Sequence, residues 1–553
     1  MKKLPIGKQG FDAIIAGGMV YVDKTDAIYR MIENNDQCFI SRPRRFGKSL
    51  LVSTLENLFS RGTEMFKGLA IEKRWTDKTY PVLHFDFSGL ECRSAGSFQK
   101  DAVEKFLDAA KKAGVLGWQE TPDKYRTIKI LMNKICLMAE VNSMVLLVDE
   151  YDSPLNANLG NQNVLNDIRD AIRDFYLSVK ENSSRFRFIF VTGVSRFNKV
   201  TLFSAGSSIK DLSLNPLYGS LLGYTEDEIR RYFAPHLKAA ASSIFGISQD
   251  EVTEAQIDQV MDGLRRHYDG YCFDEKASVH VYQPWSVLNF LSPDNLYQLS
   301  DYWFIDSGVS TLLQNFIKAA GGVTRDDEQP QVPRNEFFMN TGPMSETGKA
   351  VILTQCGYYT IKKADPFYFY LGLPNLELRH AWAYILMSDT FKKCDQQSVQ
   401  ALNQSAYVLN RPDVSDKDIA LLFNRTYKVL NSLHKAENEY AACDAPLLYC
   451  LGVGYDVRSE AAENGGRADL TFEMPGRRII IEMKCARDGE APEKKLEEAK
   501  AQILKHDYGN YVPVRETRRF AMVFSVPEQK IVLSEEVRNW PSGIGIRYFT
   551  VTA

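Results

Sequence analysis

A chain of 553 residues is too long for one hydrophobic core and calls for about two to four domains. Its composition, 44% hydrophobic and 25% charged, is that of an ordinary globular protein, and the net charge of -3 excludes a globally basic nucleic-acid binder. Nine scattered cysteines without a Cys-x-x-Cys pair argue against a zinc ribbon or a disulfide framework. No run is long enough to span a bilayer, and no apolar stretch follows Met1 as in a signal peptide, so the expectation is a cytoplasmic protein without a membrane partner.

In chain order, Phe11 to Arg30 comes first and contains Tyr21-Val22-Asp23-Lys24-Thr25 and a short amphipathic helix. Such a segment packs on a nucleotide's base or caps the sheet, and the sequence leaves both open. Next, the apolar run Cys38-Phe39-Ile40 leads into Ser41-Arg42-Pro43-Arg44-Arg45-Phe46-Gly47-Lys48-Ser49, and a helical pattern continues to Phe59. Strand, tight loop ending Gly-Lys-Ser, then helix is the arrangement that cradles phosphates on backbone N–H groups and a helix N-terminus. Arg44, Arg45, Phe46, Gly47, Lys48, Ser49 and Leu50 are therefore the expected nucleotide contacts. Lys48 is placed to reach the β/γ-phosphates, and Ser49 to ligand Mg²⁺. The pattern asks for glycine five residues before Gly47, where this chain has Arg42.

Pro81–Ser88 reads as a strand, and helical patterns follow near Ser97–Lys112 and Lys124–Glu140. Val145-Leu146-Leu147-Val148 then ends in Asp149-Glu150, a buried parallel strand with acids at its C-terminal end. Asp149 is expected to orient Mg²⁺ and Glu150 to polarise the attacking water of ATP hydrolysis. The charge-stabilising cation that hydrolysis also needs suits a neighbouring subunit of a homo-oligomer. A helix near Asn163–Glu181 and a strand Phe186–Gly193 complete a doubly wound parallel sheet. Thr192 ends that strand, either as a polar group near the γ-phosphate or as a turn-satisfying threonine, with Ser195-Arg196 beside it.

From Thr225 the pattern becomes helical, with a capping box from Thr225 to Glu228 and a helix Thr253–Tyr268. Residues 321–349 read as a loop, Val351–Lys362 and Phe367–Leu371 as strands, and Arg379–Lys393 and Asp416–His434 as helices. The expected division is a P-loop ATPase domain over 1–224, a mainly helical middle region over 225–430 and a third domain over 431–553.

The third domain carries a second chemical centre. A helix (Ala436–Leu451) and a strand (Tyr455–Glu460) precede the strand Gly466–Phe472, the turn Met474-Pro475-Gly476 and the strand Arg478–Lys484, and a helix (Pro492–His506) and a strand (Arg519–Ser525) follow. Alternation puts Asp469 beside Glu482 and Lys484 on one face of a hairpin. Such a face is costly unless a metal or substrate uses it. Hard oxygens suit Mg²⁺, with Asp469, Glu482 and the Met483 carbonyl as ligands, Lys484 activating water, and Gln502 on the next helix pointing at the site. The chemistry is phosphodiester cleavage of DNA or RNA, assisted by local basic patches at Arg42-Arg44-Arg45 and Arg515–Arg519.

These motifs, together with Leu147–Asp152, Thr192–Phe197, Gln355–Thr360 and Tyr370–Asn375, resemble AAA-ATPase-like proteins that carry a C-terminal PD-(D/E)XK nuclease-superfamily domain. The resemblance implies an α/β fold with an N-terminal P-loop ATPase, a mainly helical middle and a restriction-endonuclease-like C-terminal domain. It implies that arginine in place of the first loop glycine is a regular feature. It also makes Glu437 a candidate metal-site acid and Glu460 a weaker one. The expected function is a P-loop ATPase coupled to a Mg²⁺-dependent nuclease, in defence or mobile-element biology. The alternative is a nucleotide-switched signalling or scaffold ATPase whose nuclease-like domain only binds a partner or nucleic acid.

Overall fold

The structure is a computed structural model that describes residues 1–158, 160–196, 209–307, 330–339, 346–430, 435–463, 466–474, 476–506, 508 and 516–538. Among these, residues through Leu378 form one compact unit and those from Arg379 a second. About half of the expected loop 321–349, the turn residue Pro475, and Arg515 of the second basic patch lie outside the described residues, and the described part of that loop is instead a strand (Gln331–Pro333), a helix (Arg334–Met339) and the start of a helix at Glu346.

The first unit is built on strands β1 (Gln37–Ser41), β2 (Val82–Asp86), β3 (Met144–Asp149), β4 (Phe186–Gly193) and β5 (Lys210–Asp211). Their order is β2-β3-β4-β1-β5, all parallel. Because β4 lies between β1 and β3, the end of β4 sits between the Gly-Lys-Ser loop and the two acids. Ligands of such sheets bind at the C-terminal ends of the strands, where all three elements finish. Every residue of β3 is buried, which explains its unbroken apolar run. One core is aromatic: Phe85 stacks on Phe106 at 4.2 Å, and Phe87 and Phe175 pack around them. Phe106 belongs to α3 (Ala95–Lys112) and Phe175 to α5 (Gln162–Glu181). Helices α1 (Thr25–Asn34), α2 (Lys48–Arg61) and α4 (Ile128–Met138) complete this layer of the chain.

The Thr225–Glu228 capping box forms at the start of α6 (Glu226–Tyr232), and α7 (Ala234–Phe245) and α8 (Glu254–Tyr268) follow. Val351–Lys362 departs from expectation. Val351 to Gln355 close the helix α9 (Glu346–Gln355), and only Thr360–Ala364 is a strand. A short apolar run does not distinguish a buried strand from a buried helix segment, and here the helix wins.

The second unit holds a five-stranded sheet. Numbering onward in chain order, its strands are β6 (Asp456–Glu463), β7 (Gly466–Met474), β8 (Arg477–Ala486), β9 (Glu516–Ser525) and β10 (Lys530–Glu536), in that spatial order. β8 and β9 are parallel and the other pairs antiparallel. β8 is central and buried on both faces except at Lys484. The helix expected over Ala436–Leu451 is two pieces, α10 (Glu439–Ala442) and α11 (Asp444–Gly452). Helix α12 (Pro492–Lys505) packs on β8 and β9, burying Ala499 and Ile503 against Ile480 and Ala521.

Candidate functional site

The loop between β1 and α2 turns through two left-handed residues, Arg45 (φ 69°) and Gly47 (φ 93°). Gly47 is the N-cap of α2, so the helix's first N–H groups open at the loop. Lys48 is buried, and its ammonium donates to the carbonyls of Arg42 and Pro43, both at 3.0 Å. Burial pulls its pKa down, while the nearby carboxylates of Glu150, Asp149 and Asp152 work to keep it charged. Burial likewise pushes Asp149 and Glu150 up, against the Ser49 hydroxyl bonded to Asp149 and the charge of Lys48. Glu150 takes a left-handed backbone (φ 47°), an energetic cost that turns the chain at the end of β3. Lys48, Ser49, Asp149 and Glu150 are thus brought together as expected.

Other expected contacts are placed differently. Arg42 is only 1% exposed and points away from the loop mouth. Its guanidinium donates to the carbonyls of Ser41 (2.8 Å), Ser213 (2.7 Å) and Tyr218 (3.0 Å) and lies 4.4 Å from the Phe273 ring centroid. Burial pushes its pKa down to about 9. It is a structural cation, so the basic patch reduces to Arg44 and Arg45, which are exposed. The Arg45 guanidinium stacks over Trp285 at 4.2 Å, and the Arg44 carbonyl accepts from Trp303 Nε1 at 3.2 Å. Phe46 is buried edge-on against Tyr271 and Phe273. Leu50 and Gly47 border a mainly apolar cavity whose other walls include Val20, Val22, Ile28 and Leu222. The Thr192 hydroxyl donates to the Ile40 carbonyl at 2.7 Å and is fully buried, so it ties β4 to β1. Asp152, not singled out from the sequence, accepts from the N–H groups of Val194 (3.1 Å) and Ser195 (2.6 Å) and fixes the turn after β4.

In the second unit, Asp469 accepts from the Met483 N–H at 2.6 Å, and Lys484 Nζ donates to Glu482 Oε1 at 2.8 Å. Glu482 is fully buried, and its Oε2 has no hydrogen-bond partner among the described residues. Burial raises the pKa of both acids; the charge of Asp469 raises Glu482 further, and those of Glu460 and Glu439 add to Asp469. Burial opposes the charge on Lys484, but its bond to Glu482 together with the charges of Glu482, Asp469 and Glu439 outweighs this and raises its pKa. A buried carboxylate oxygen without a donor, beside a second hard-oxygen ligand, fits a divalent cation.

Glu437 is exposed, whereas Glu439 Oε1 accepts from the Cys485 N–H at 3.1 Å and is felt by both Asp469 and Lys484. The acid supplied by the first helical piece is therefore Glu439. Only the register of α10 distinguishes the two, and Asn438 sets it by capping the Ala441 N–H. Glu460 lies between the pairs Ser459–Leu470 and Ala461–Ala468, at the step of Asp469, with a left-handed φ of 51°. Gln502 Nε2 bonds the Tyr508 hydroxyl (3.3 Å), which donates to the Arg467 carbonyl (2.8 Å). It braces β7 two residues before Asp469.

A parallel sheet ending in a Gly-Lys-Ser loop and paired acids defines the P-loop ATPase class, and the acid-acid-lysine set on a mixed sheet defines a nuclease-like core. Residues 5–203 match the family model described as predicted AAA-ATPase, and residues 435–536 match that of the PD-(D/E)XK nuclease superfamily. The chain thus joins an AAA-ATPase-like region to a C-terminal PD-(D/E)XK nuclease-superfamily domain. It is 29% identical over 498 residues to an uncharacterized protein encoded in the vnfD 5′ region of Azotobacter chroococcum mcd 1, covering 87% of this chain and 89% of that one. Among solved structures it is similar to the Walker-type ATPase of Pyrococcus abyssi, at 12% identity and a TM-score of 0.36, covering 69% of this chain and 98% of that one. Among the described residues, no helix is long and apolar enough to cross a membrane.

Proposed function

We propose that this protein is an ATP-dependent nuclease in which ATP bound to the first unit governs metal-dependent phosphodiester cleavage by the second. The observation that carries the nuclease reading is the unpartnered Oε2 of fully buried Glu482, beside Asp469 and bridged to Lys484. A scaffold has no reason to retain a charge-bearing group so placed.

In the ATPase, Lys48 exchanges the Arg42 and Pro43 carbonyls for the β/γ-phosphates. Ser49 and Asp149 are the residues that would hold Mg²⁺, and Glu150 accepts the proton of the attacking water. The apolar cavity beside Gly47, walled by the segment preceding the P-loop, receives the base. In the nuclease, Asp469, Glu482 and the Met483 carbonyl would hold Mg²⁺, with Glu439 beside them. That ion supplies, when bound, a Lewis acid for the phosphate and a lowered pKa for attacking water. Lys484, oriented by Glu482, stabilises the charge that develops on the phosphate. Nucleic acid, DNA or RNA, is the substrate.

The test is cleavage of labelled single- and double-stranded DNA and RNA with Mg²⁺ or Mn²⁺, with and without ATP. Cleavage lost in Glu482→Ala and altered in Lys48→Ala supports two coupled sites. ATP turnover with no cleavage of any substrate refutes the nuclease assignment.

A further inference from the structure

The cavity beside Gly47 is not uniformly apolar. Tyr21, Lys24, Thr54 and Tyr224 also line it, opposite Val20, Leu50 and Leu222. The Lys24 side chain is largely but not fully buried, 14% exposed, and among the described residues its ammonium is not saturated. It donates to the Ser220 carbonyl at 2.7 Å and to Glu228 Oε2 at 2.6 Å, which accounts for two of its three protons. Glu228 is in turn held by the Thr225 N–H at 2.8 Å, so the pair has a fixed place. Thr54 spends its proton on the Leu50 carbonyl at 2.7 Å. In its 3.5 Å contact with Tyr21, Thr54 can therefore only accept, and the Tyr21 oxygen keeps its lone pairs for another donor. Burial keeps the Tyr21 phenol protonated. The cavity thus offers dry walls for the faces of a ring and, at its edge, one cationic donor and one neutral acceptor.

We infer that Lys24 and Tyr21 read the edge of an adenine base. Lys24 donates its third proton to a ring nitrogen, and the Tyr21 oxygen accepts from the exocyclic amine. This rests on the nucleotide-binding reading of the P-loop and adds to it the determinants of base choice. Hydrogen-bonding sites discriminate strongly because an analogue that lacks the group leaves a buried partner unpaired. Inosine triphosphate, with a carbonyl where adenine has its amine, presents an acceptor to the Tyr21 lone pairs.

The test is equilibrium binding of ATP, ITP, CTP and inorganic triphosphate with Mg²⁺ to the full chain. Wild type is expected to prefer ATP over ITP by about tenfold or more, the worth of one buried hydrogen bond. Tyr21→Phe is expected to collapse that preference, and Lys24→Met to weaken ATP by about tenfold, with triphosphate affinity unchanged in both. Lys24→Met leaves the half-buried Glu228 without its cation, so the double variant Lys24→Met/Glu228→Gln, which keeps the Thr225 bond, is measured alongside and is expected to show the same loss. An ATP/ITP ratio unchanged in Tyr21→Phe, or ATP affinity within about twofold of wild type in the double variant, overturns the inference. Triphosphate bound as tightly as ATP by wild type also overturns it while leaving the P-loop reading intact. Wild type binding neither ATP nor triphosphate refutes the P-loop reading itself.

Discussion

Replacing Arg42 by glycine restores the usual P-loop pattern, and the structure predicts that it damages the protein. The guanidinium makes three hydrogen bonds to the carbonyls of Ser41, Ser213 and Tyr218 and covers the Phe273 ring. Hydrogen bonds from a charged donor are worth roughly 1.5–3 kcal/mol each, so the gross loss is on the order of 6 kcal/mol. Burial of the cation opposes this, as its pKa, pushed down to about 9, records. With that cost returned, and with the added backbone entropy of a loop glycine, the net destabilisation is about 3 kcal/mol. The assay is urea unfolding followed by circular dichroism, with ATP affinity measured at a urea concentration where both proteins are folded. Arg42→Gly is expected to unfold at lower urea and to gain no affinity for ATP. A loss below about 1 kcal/mol, or tighter ATP binding, would show that Arg42 is a loop residue and not the pin between β1 and residues 213–218.

Three other perturbations follow from the two sites. Asp469 and Glu482 have raised pKa values in the folded, metal-free protein, so their stability contribution is present below the ordinary carboxylate range and is lost as pH rises through the raised values. Glu482→Gln should therefore abolish cleavage yet raise the metal-free melting temperature at pH 8 more than at pH 5, and equal effects at both pH values would contradict the burial argument. Glu439→Gln should reduce cleavage by about 10- to 100-fold and Glu437→Gln should not, measured as initial rates at fixed Mg²⁺; the reverse pattern would restore Glu437. A Cβ on Gly193 would clash with Asp152 Oδ1 and lie 2.7 Å from the Tyr151 ring, so Gly193→Ala should cost about 1–3 kcal/mol and slow ATP hydrolysis by displacing the 194–195 turn; wild-type turnover would show that this turn is not coupled to the acids.

The features legible in the sequence were those whose information is local. The strand–loop–helix around Gly47-Lys48-Ser49 and the buried strand ending at Asp149-Glu150 are patterns of a dozen residues or fewer, and the parallel sheet follows from their alternation with helices. The Asp469, Glu482 and Lys484 set follows from period two across one turn, and the structure closes it with the Met483–Asp469 and Lys484–Glu482 bonds. The remainder depended on partners outside the local pattern, most of them far along the chain. Arg42 reads as part of a local basic patch until Ser213 and Tyr218 supply carbonyls from more than 170 residues away. Thr192 reads either as a polar group near the γ-phosphate or as a turn-satisfying threonine until Ile40, on the neighbouring strand, takes its proton. Gln502 reads as a catalytic amide until Tyr508 binds it. Each is a polar group whose hydrogen-bonding capacity is met by tertiary contacts, and a sequence does not show which donors are already spent. Glu482 is the converse, a fully buried acid with an oxygen that none of the described residues satisfies. Burying such an oxygen costs free energy that folding alone does not recover, so its retention points to chemistry supplied from outside the chain.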